Sequence, residues 1–568
     1  MALLMSRMFP DTKRENPADA EVPSHAALVR AGYVRRVTPG IYTFLPLGLR
    51  VIRKIEQIVR EEMDRIGAEE LRFPALLPRE PYETTGRWSE YGDNLFRLTD
   101  RRDNDMLLGP THEEMFALLA KDEISSYRAL PKSLYQIGIK YRDEARPRSG
   151  VLRGREFVMK DSYSFDIDDA GLAESYRLHR VAYERVFSRL EVEFRIVKAM
   201  SGAMGGSASE EFLAPSPIGE DTFVSCPKCD YVANVEAMDF VFPSTPIDPA
   251  AFGPAEVKHT PKTTTIETLV AHAVAEGRDI TAADTIKSLL FWAGDTPIVA
   301  VIPGDRELSE DKLESFLGGV AVKPFSEEDF KSHPELAKGY ISPAAGAPFG
   351  ARVIGDPRLQ AHQSWVTGAD QADHHAFGVV LGRDFDIAEW AVITDGIVGD
   401  PCPVCGALVE GQRGIEIGHI FQLGRKYTDA IEWDVQGPDG QMIRPTMGSY
   451  GIGVTRMIAV IAEQTLDDAG LCWPRSVSPA DVHVVSVNKD PSAALAVVET
   501  LENSGLSVIL DERERVSFGV KAKDAELIGV PKIIVVGRDA VNGQVELRDR
   551  KTGSNEVINI ADLVDLLA

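Results

Sequence analysis

From Leu49 to Ile66 the apolar residues Leu49, Ile52, Ile55, Val59, Met63 and Ile66 recur every three or four positions, with arginine and glutamate between them. That period lines one face of a helix and predicts a long amphipathic one, stopped by Gly67. The following text, ELRFPALLP, reads as a short extended segment in which Pro74 sits at an edge or bulge, because it has no N–H for a ladder. Residues 135–165 read as strand, basic Gly/Pro loop, strand. From about Val241 the character changes. A Pro-rich stretch, FVFPSTPIDPAAFGP, leads into a helix-like TTTIETLVAHAVAEG and a strand pair, KSLLFWAG and DTPIVAVIPGD, which together predict an inserted α+β module over 241–395. Beyond Pro479, VHVVSVN, PSAALAVVETLENSG, LSVILDE, FGVKAKDAELIG and KIIVVGRD alternate strand and helix, the order of a small α/β domain over 475–568.

Composition narrows the field without choosing a function. With 44% hydrophobic and 26% charged residues in 568, the chain has ordinary globular usage and length for three or four domains. A net charge of -25 means that any contact with nucleic acid rests on local basic patches. No apolar run approaches the ~20 residues that cross a bilayer. The first residues lack the pattern of a signal peptide, so the expectation is a cytoplasmic protein with no membrane partner. Four of the five cysteines form two CxxC pairs, which suits metal ligation in a reducing compartment better than disulfides.

Candidate chemistry concentrates in YQIGIKYRDEARPRSGVLRGREFVMKDSYSF. On an extended strand Arg142 and Glu144, two apart, share a face. The loop adds Arg146, Arg148, Arg153 and Arg155. Nucleotidyl transfer needs donors fixed on an α-phosphate, and a permanently charged guanidinium supplies them in pairs. Arg142 suits that task, Glu144 orienting the nucleotide, Phe157 stacking on a purine and Arg153 meeting the triphosphate; a solvated surface hairpin is the plain alternative. Further on, TMGSYGIGVTRMIAVIAEQ places Gly448, Gly451 and Gly453 before an apolar helix with Arg456 in its first turn, where a phosphate chain is attracted. No GxxxxGK[ST] follows any strand.

The helix with Pro74, the Arg142/Glu144 hairpin and the glycine segment ending at Arg456 stand in the order of the three class II synthetase motifs. Within that class GPTHEE, SHAALVRAGYVRRVTPGIYTFLPLG, GREFVMKDSYSF, GGSASEEF and IGHIFQLGRKYT resemble the bacterial prolyl-tRNA synthetases over essentially the whole chain. The resemblance implies an antiparallel-sheet class II catalytic core in two parts, 1–240 and 396–474, an inserted editing domain and a C-terminal anticodon-binding domain. It implies ATP with Mg²⁺, proline and tRNA(Pro) as ligands, and a homodimer contacting through the region from Leu49 to Pro74. ATP is held bent by Arg142 and Arg456. Thr111 and Glu113 hold the proline imino group, a secondary ammonium whose two N–H donors a hydroxyl and a carboxylate satisfy. Thr-x-Glu before MFALLA equally fits a helix cap. His419 and Gln422 match the strand lining the amino-acid and ribose sites, with a core histidine as the alternative for His419.

A proline pocket cannot strongly exclude alanine, since a missing methylene gives only ~1–3 kcal/mol, and a second hydrolytic site is the physical remedy. The insertion resembles the family's editing domain, its matching positions being Lys287, the GxxxP loop from Gly339 to Pro343, Asp356 and His375, with His374 adjacent as an alternative. Lys287 equally reads as a snorkelling strand-end lysine. Cys226, Cys229, Cys402 and Cys405 flank the insertion and make a tetrahedral Cys₄ structural zinc site if a ribbon is split by the inserted module; four free thiols are the alternative. Cys472 has no evident partner. A sister class II enzyme, a non-catalytic synthetase-like RNA binder and a freestanding deacylase are the competing readings; the presence of Arg142, Glu144 and Arg456 together weighs against the latter two.

Overall fold

The computed structural model describes residues 2–200, 208–240, 248–345, 350–361 and 364–567. The start of GGSASEEF (205–207) and most of the Pro-rich stretch (241–247) lie outside the described residues. The chain divides into two compact units, Met1–Asp221 with Gln412–Ala568, and Thr222–Gly411. The second unit is wider than the 241–395 expected for the insertion and takes in both CxxC pairs.

In the first unit the amphipathic helix runs Pro46–Arg65. Pro46 stands in its first turn, where a missing N–H costs nothing, and Gly67 follows it at φ 78°. Its apolar face, Val51, Ile52, Ile55, Ile58, Val59 and Met63, is buried against the helices Asp169–Arg189 and Val454–Thr465. Pro74 falls between the short strands Glu69–Glu70 and Leu76–Pro78, outside any ladder, as its chemistry requires.

These helices pack against an antiparallel sheet. Lys132–Tyr141 pairs with Glu156–Asp166, which pairs with Thr446–Ile452, then Glu410–Gly424, Ala208–Pro215 and Arg195–Lys198. Glu69–Glu70 joins the Lys132–Tyr141 edge in parallel. The C-terminal segment forms the expected alternation, with Val482–Ser486 between parallel strands Val508–Asp511 and Lys532–Val536, and the antiparallel strands Gln544–Asp549 and Asn555–Asn559 beyond. One strand was not legible: Leu3–Leu4 adds in parallel to Val508–Asp511, so the chain's first residues extend a sheet built from its last hundred.

Among the described residues the second unit holds two sheets of its own. Ile286–Ala293 and Thr296–Pro303 form the predicted hairpin, extended by Val322–Pro324 on one side and by Arg352–Gly355 and Glu389–Trp390 on the other. Glu256–His259, His374–Val379 and Trp365–Gly368 form the smaller sheet. The helix Ile266–Ala275 begins at Thr265, whose hydroxyl and that of Thr268 complete a capping box.

Candidate active site

In the first unit a cavity of about 500 Å³ opens on one face of the antiparallel sheet. Strand alternation decides what lines it. Phe157, Met159, Asp161 and Tyr163 are successive alternate residues of Glu156–Asp166, and all four face the cavity. Ser449 and Gly451 do the same from Thr446–Ile452, and His419 and Phe421 from Glu410–Gly424. Gln422, next to Phe421, pairs with Gly448 and is not among the lining residues, so the structure does not bring it to the nucleotide site expected for it. At Gly451 a Cβ would meet only the Met159 side chain, so any larger residue there would fill cavity space.

Arg142 and Glu144 both line the cavity, for a different reason from the one the strand pattern suggested. The strand ends at Tyr141, and the two residues lie in a tight turn closed by the Glu144 N–H on the Arg142 carbonyl at 2.8 Å. The Arg142 guanidinium lies 5.3 Å from the centre of the Phe157 ring, and its buried Nε has no hydrogen-bond partner among the described residues. An unpaired buried donor beside a cavity marks a place where a ligand completes the hydrogen bonding. Arg153, also lining the cavity, pairs with Glu144 at 2.9 Å and with Glu220. Arg456, in the first turn of Val454–Thr465, donates through Nε to the Leu152 carbonyl (3.0 Å) and through Nη1 to the Glu416 carbonyl (2.5 Å). Burial works against ionisation of Glu416, yet His419, Arg456 and Arg142 together hold its carboxyl well below the usual range. Asp221 behaves oppositely: burial, with the Glu416 charge beside it, pushes its carboxyl up to about 6.

Thr111 and Glu113 also line the cavity. Neither caps a helix. The helix Glu113–Glu123 starts after His112 with no side-chain cap, and the Thr111 oxygen instead accepts from Arg87. Arg87, 1% exposed, is the residue that sequence reasoning missed. Its Nη1 bonds Glu113 and Glu114, each at 2.8 Å, and its Nη2 reaches Thr111 and the Tyr91 hydroxyl. Burial would raise the Glu113 carboxyl, but Arg87, the Thr111 hydroxyl and a backbone N–H outweigh it and hold the group below its ordinary value. Glu114 goes the other way, raised by burial and by the charge of Glu113. Nothing in the sequence near Glu113 points to an arginine 26 positions earlier.

A second buried network supports the floor. His112 Nε2 lies 3.0 Å from the Pro74 carbonyl and must donate to it, so Nδ1 accepts from Lys140 at 2.8 Å. Burial, with Lys140 beside it, lowers the pKa of this ring. Lys140 pairs with Asp161 at 2.8 Å, and Tyr163 donates to the same carboxylate at 3.0 Å. His419 is held by Ser209 at Nε2 and lies 3.4 Å from Glu416 at Nδ1, stacked on Phe421 with ring centres 3.8 Å apart. It is thus a cavity-wall residue rather than an enclosed core histidine.

In the second unit the four cysteine sulfurs lie within 4.8 Å of one another, with Cys226 to Cys405 at 3.4 Å and Cys229 to Cys402 at 3.6 Å. Zinc–sulfur bonds of about 2.3 Å arranged tetrahedrally set sulfurs roughly 3.8 Å apart, so the cluster fits such an ion. Cys472 is buried elsewhere. Of the positions matched to an editing domain, Lys287 lies on the strand Ile286–Ala293 and His375 on His374–Val379, while Asp356 follows the strand Arg352–Gly355 and Gly339 to Pro343 form a loop. Lys287 donates to the Arg306 carbonyl and pairs with Glu307, both at 2.7 Å. Asp356 is fully buried, its carboxylate bound by Arg358 and Thr394. The loop from Gly339 to Pro343 adjoins His375, whose ring lies 5.2 Å from that of Tyr340 and whose Nδ1 meets Thr260 at 2.7 Å. His374 turns instead to the Ala372 carbonyl.

Among the described residues no helix is long and apolar enough to cross a membrane. The model of the class II tRNA synthetase core domain (G, H, P, S and T) matches residues 96–465, and that of the anticodon binding domain matches 481–568. The proline–tRNA ligase of Nocardioides sp. is 56% identical over 100% of this chain and 99% of its own, and that of Streptomyces coelicolor 55% identical over 99% and 98%. Among solved structures, a Giardia lamblia prolyl-tRNA synthetase in complex with prolyl-adenylate superposes with a TM-score of 0.58 at 14% identity, covering 95% of this chain and 75% of that one. The Cryptosporidium parvum prolyl-tRNA synthetase complexed with halofuginone and AMPPNP gives 0.56 at 12%, covering 96% and 74%. At those identities the structures speak for the fold alone; the full-length sequence identities establish that this chain belongs to the proline–tRNA ligases, class II enzymes that join proline to its transfer RNA.

Proposed function

We propose that the 500 Å³ cavity is where proline meets ATP, with Thr111 and Glu113 on the imino group and Arg142 between the proline carboxylate and the α-phosphate. A proline carboxylate oxygen attacks that phosphorus, the bond to the β-phosphate oxygen breaks, and pyrophosphate leaves. A terminal hydroxyl of tRNA(Pro) then attacks the acyl carbon and AMP departs. No protein nucleophile is needed: positioning and charge neutralisation carry both steps. Arg456, Arg153 and Glu144 attend the ATP phosphates and ring, Phe157 stacks on adenine, and His419 walls the amino-acid side. ATP arrives as its magnesium complex. The observation that carries this reading is Arg142, a cation with an unpaired buried nitrogen at a cavity that the Glu113 carboxylate also lines. Arg142→Ala and Glu113→Gln, assayed by proline-dependent exchange of pyrophosphate into ATP, test it. Loss of about 10²–10³ in rate is expected for Arg142→Ala; exchange equal to the unsubstituted protein would remove Arg142 from the site.

The second unit is proposed to hydrolyse alanine from mischarged tRNA(Pro), using Lys287, the Gly339–Pro343 loop and His375, with Asp356 holding the fold beneath them. The four cysteines are proposed to bind one structural zinc that pins the two ends of the insertion, supplying stability rather than chemistry. A cytoplasmic homodimer, joined through the Leu49 to Pro74 region, completes the proposal.

A further inference from the structure

The strand Leu3–Leu4 is the edge of a sheet whose other strands all come from residues 482–559. Side chains alternate along a strand, and here they alternate between two apolar clusters. Ala2 and Leu4 pack on the cluster of Val482, Val484, Val498 and Leu510, whose buried residues all belong to the C-terminal domain. Leu3 and Met5 pack on the cluster that joins Ile55 and Val59 of the amphipathic helix to Ile509 and Ile528. Both attachments continue past the strand. The Ser6 hydroxyl donates to the Glu512 carboxylate, and the Thr12 hydroxyl to Asp524 at 2.7 Å. One residue on, the Lys13 N–H donates to the Arg30 carbonyl at 2.8 Å, at the end of the helix Pro23–Arg30. That helix packs against Val454–Thr465, which carries Arg456. Residues 2–13 thus join the C-terminal sheet to the helices of the catalytic core. The C-terminal domain also meets that core through the Trp473 N–H on the Gly529 carbonyl (2.9 Å) and the Tyr33 hydroxyl on the Ile528 carbonyl (2.7 Å), so the segment adds to a junction rather than making it.

We propose that residues 2–13 are a positioning element for the transfer step, a clasp that fixes the C-terminal domain on the catalytic core at the span of one tRNA. The inference rests on the cavity as the place where the terminal hydroxyl of tRNA(Pro) reacts. Charging holds one RNA at two points, its terminal hydroxyl at the cavity and its anticodon at the domain matched over 481–568. Two contacts carried on one rigid body reinforce each other, because the first raises the effective concentration for the second. Loosening the body lowers that concentration while leaving each contact as it was. The loss therefore falls on tRNA. Proline and ATP meet inside the cavity, which none of residues 2–13 lines, and their binding does not depend on where the C-terminal domain stands.

The test measures charging of tRNA(Pro) and proline-dependent pyrophosphate exchange in the full-length protein with Leu4→Ala, Met5→Ala, Leu4→Ile and Met5→Leu, with thermal midpoints beside them. Leu4 packs on the C-terminal domain's own cluster and Met5 on the shared one, so the two alanines loosen the clasp at different attachments. Both are expected to raise KM for tRNA about tenfold while KM for proline and for ATP in the exchange reaction hold. Leu4→Ile and Met5→Leu, which keep the volume, should stay near the unsubstituted protein. Ser6→Ala combined with Thr12→Val removes only the two side-chain hydrogen bonds, and carries the test if an alanine variant does not fold. A rise in KM for tRNA confined to Leu4→Ala would make the strand a part of the C-terminal core alone. Equal losses in charging and exchange would make it a general structural support, and an unchanged KM for tRNA throughout would leave it no part in transfer. Each of these results would overturn the inference. Absence of proline-dependent exchange in the unsubstituted protein would instead overturn the cavity assignment beneath it.

Discussion

Arg456 and Glu416 are bound twice over: the Arg456 Nη1 lies 2.5 Å from the Glu416 carbonyl and 3.3 Å from its carboxylate. The cation at the start of a long buried helix is thereby held at the cavity wall, with Nε on the Leu152 carbonyl. Arg456→Ala is expected to leave the fold intact and to lower proline activation by about 10²–10³. Arg456→Lys keeps the charge but loses the fork, and should recover only part of that. Steady-state pyrophosphate exchange, with thermal midpoints alongside, measures both.

Elemental analysis of metal-replete protein should find one zinc per chain. Cys229→Ser should lower that content and the unfolding midpoint of the second unit together, because ligand loss converts binding energy into lost stability. Protein with no zinc and four freely titrating thiols would contradict the site.

Lys287→Ala should reduce release of alanine from pre-formed alanyl-tRNA(Pro) and spare proline activation. Its partners are the Arg306 carbonyl and the exposed Glu307, so removing it costs little stability. Undiminished deacylation would reject Lys287, and none by the unsubstituted protein would reject the editing activity itself.

His483 sets a pH dependence. It lies fully buried in Val482–Ser486 with neither ring nitrogen hydrogen-bonded among the described residues. Burial pulls its pKa down to about 4, with Asp511 and Asp524 opposing and Arg513 reinforcing the shift. Above the ordinary value of ~6.5 the ring is neutral folded or unfolded and contributes nothing to pH dependence. As pH falls from there towards 4, only the unfolded chain takes up the proton, so stability falls by up to ~1.4 kcal/mol per pH unit. Thermal midpoints from pH 7 to pH 5 should therefore drop less steeply in His483→Leu than in the unsubstituted protein.

Periodicity made much of this legible. The helix predicted over Leu49 to Ile66 is observed at Pro46–Arg65, and the Lys287 hairpin and the C-terminal alternation also form as read. The same period-2 rule, applied from Phe157, would have added Met159, Asp161 and Tyr163 to the cavity, and it explains why Gln422 lies outside it. Arg87 was beyond reach because its partners come from residues 24 to 27 positions away, brought together only by tertiary packing. Leu3–Leu4 was too short to carry a pattern, and its partner strand lies some 500 residues on.

The most direct test of the central claim is amino-acid-dependent exchange of pyrophosphate into ATP across a panel of amino acids, run with the unsubstituted protein and with Arg142→Ala. The account predicts strong exchange with proline, much weaker exchange with alanine, and collapse of both in Arg142→Ala. Exchange led by another amino acid, or proline-dependent exchange that survives the loss of Arg142, would contradict it.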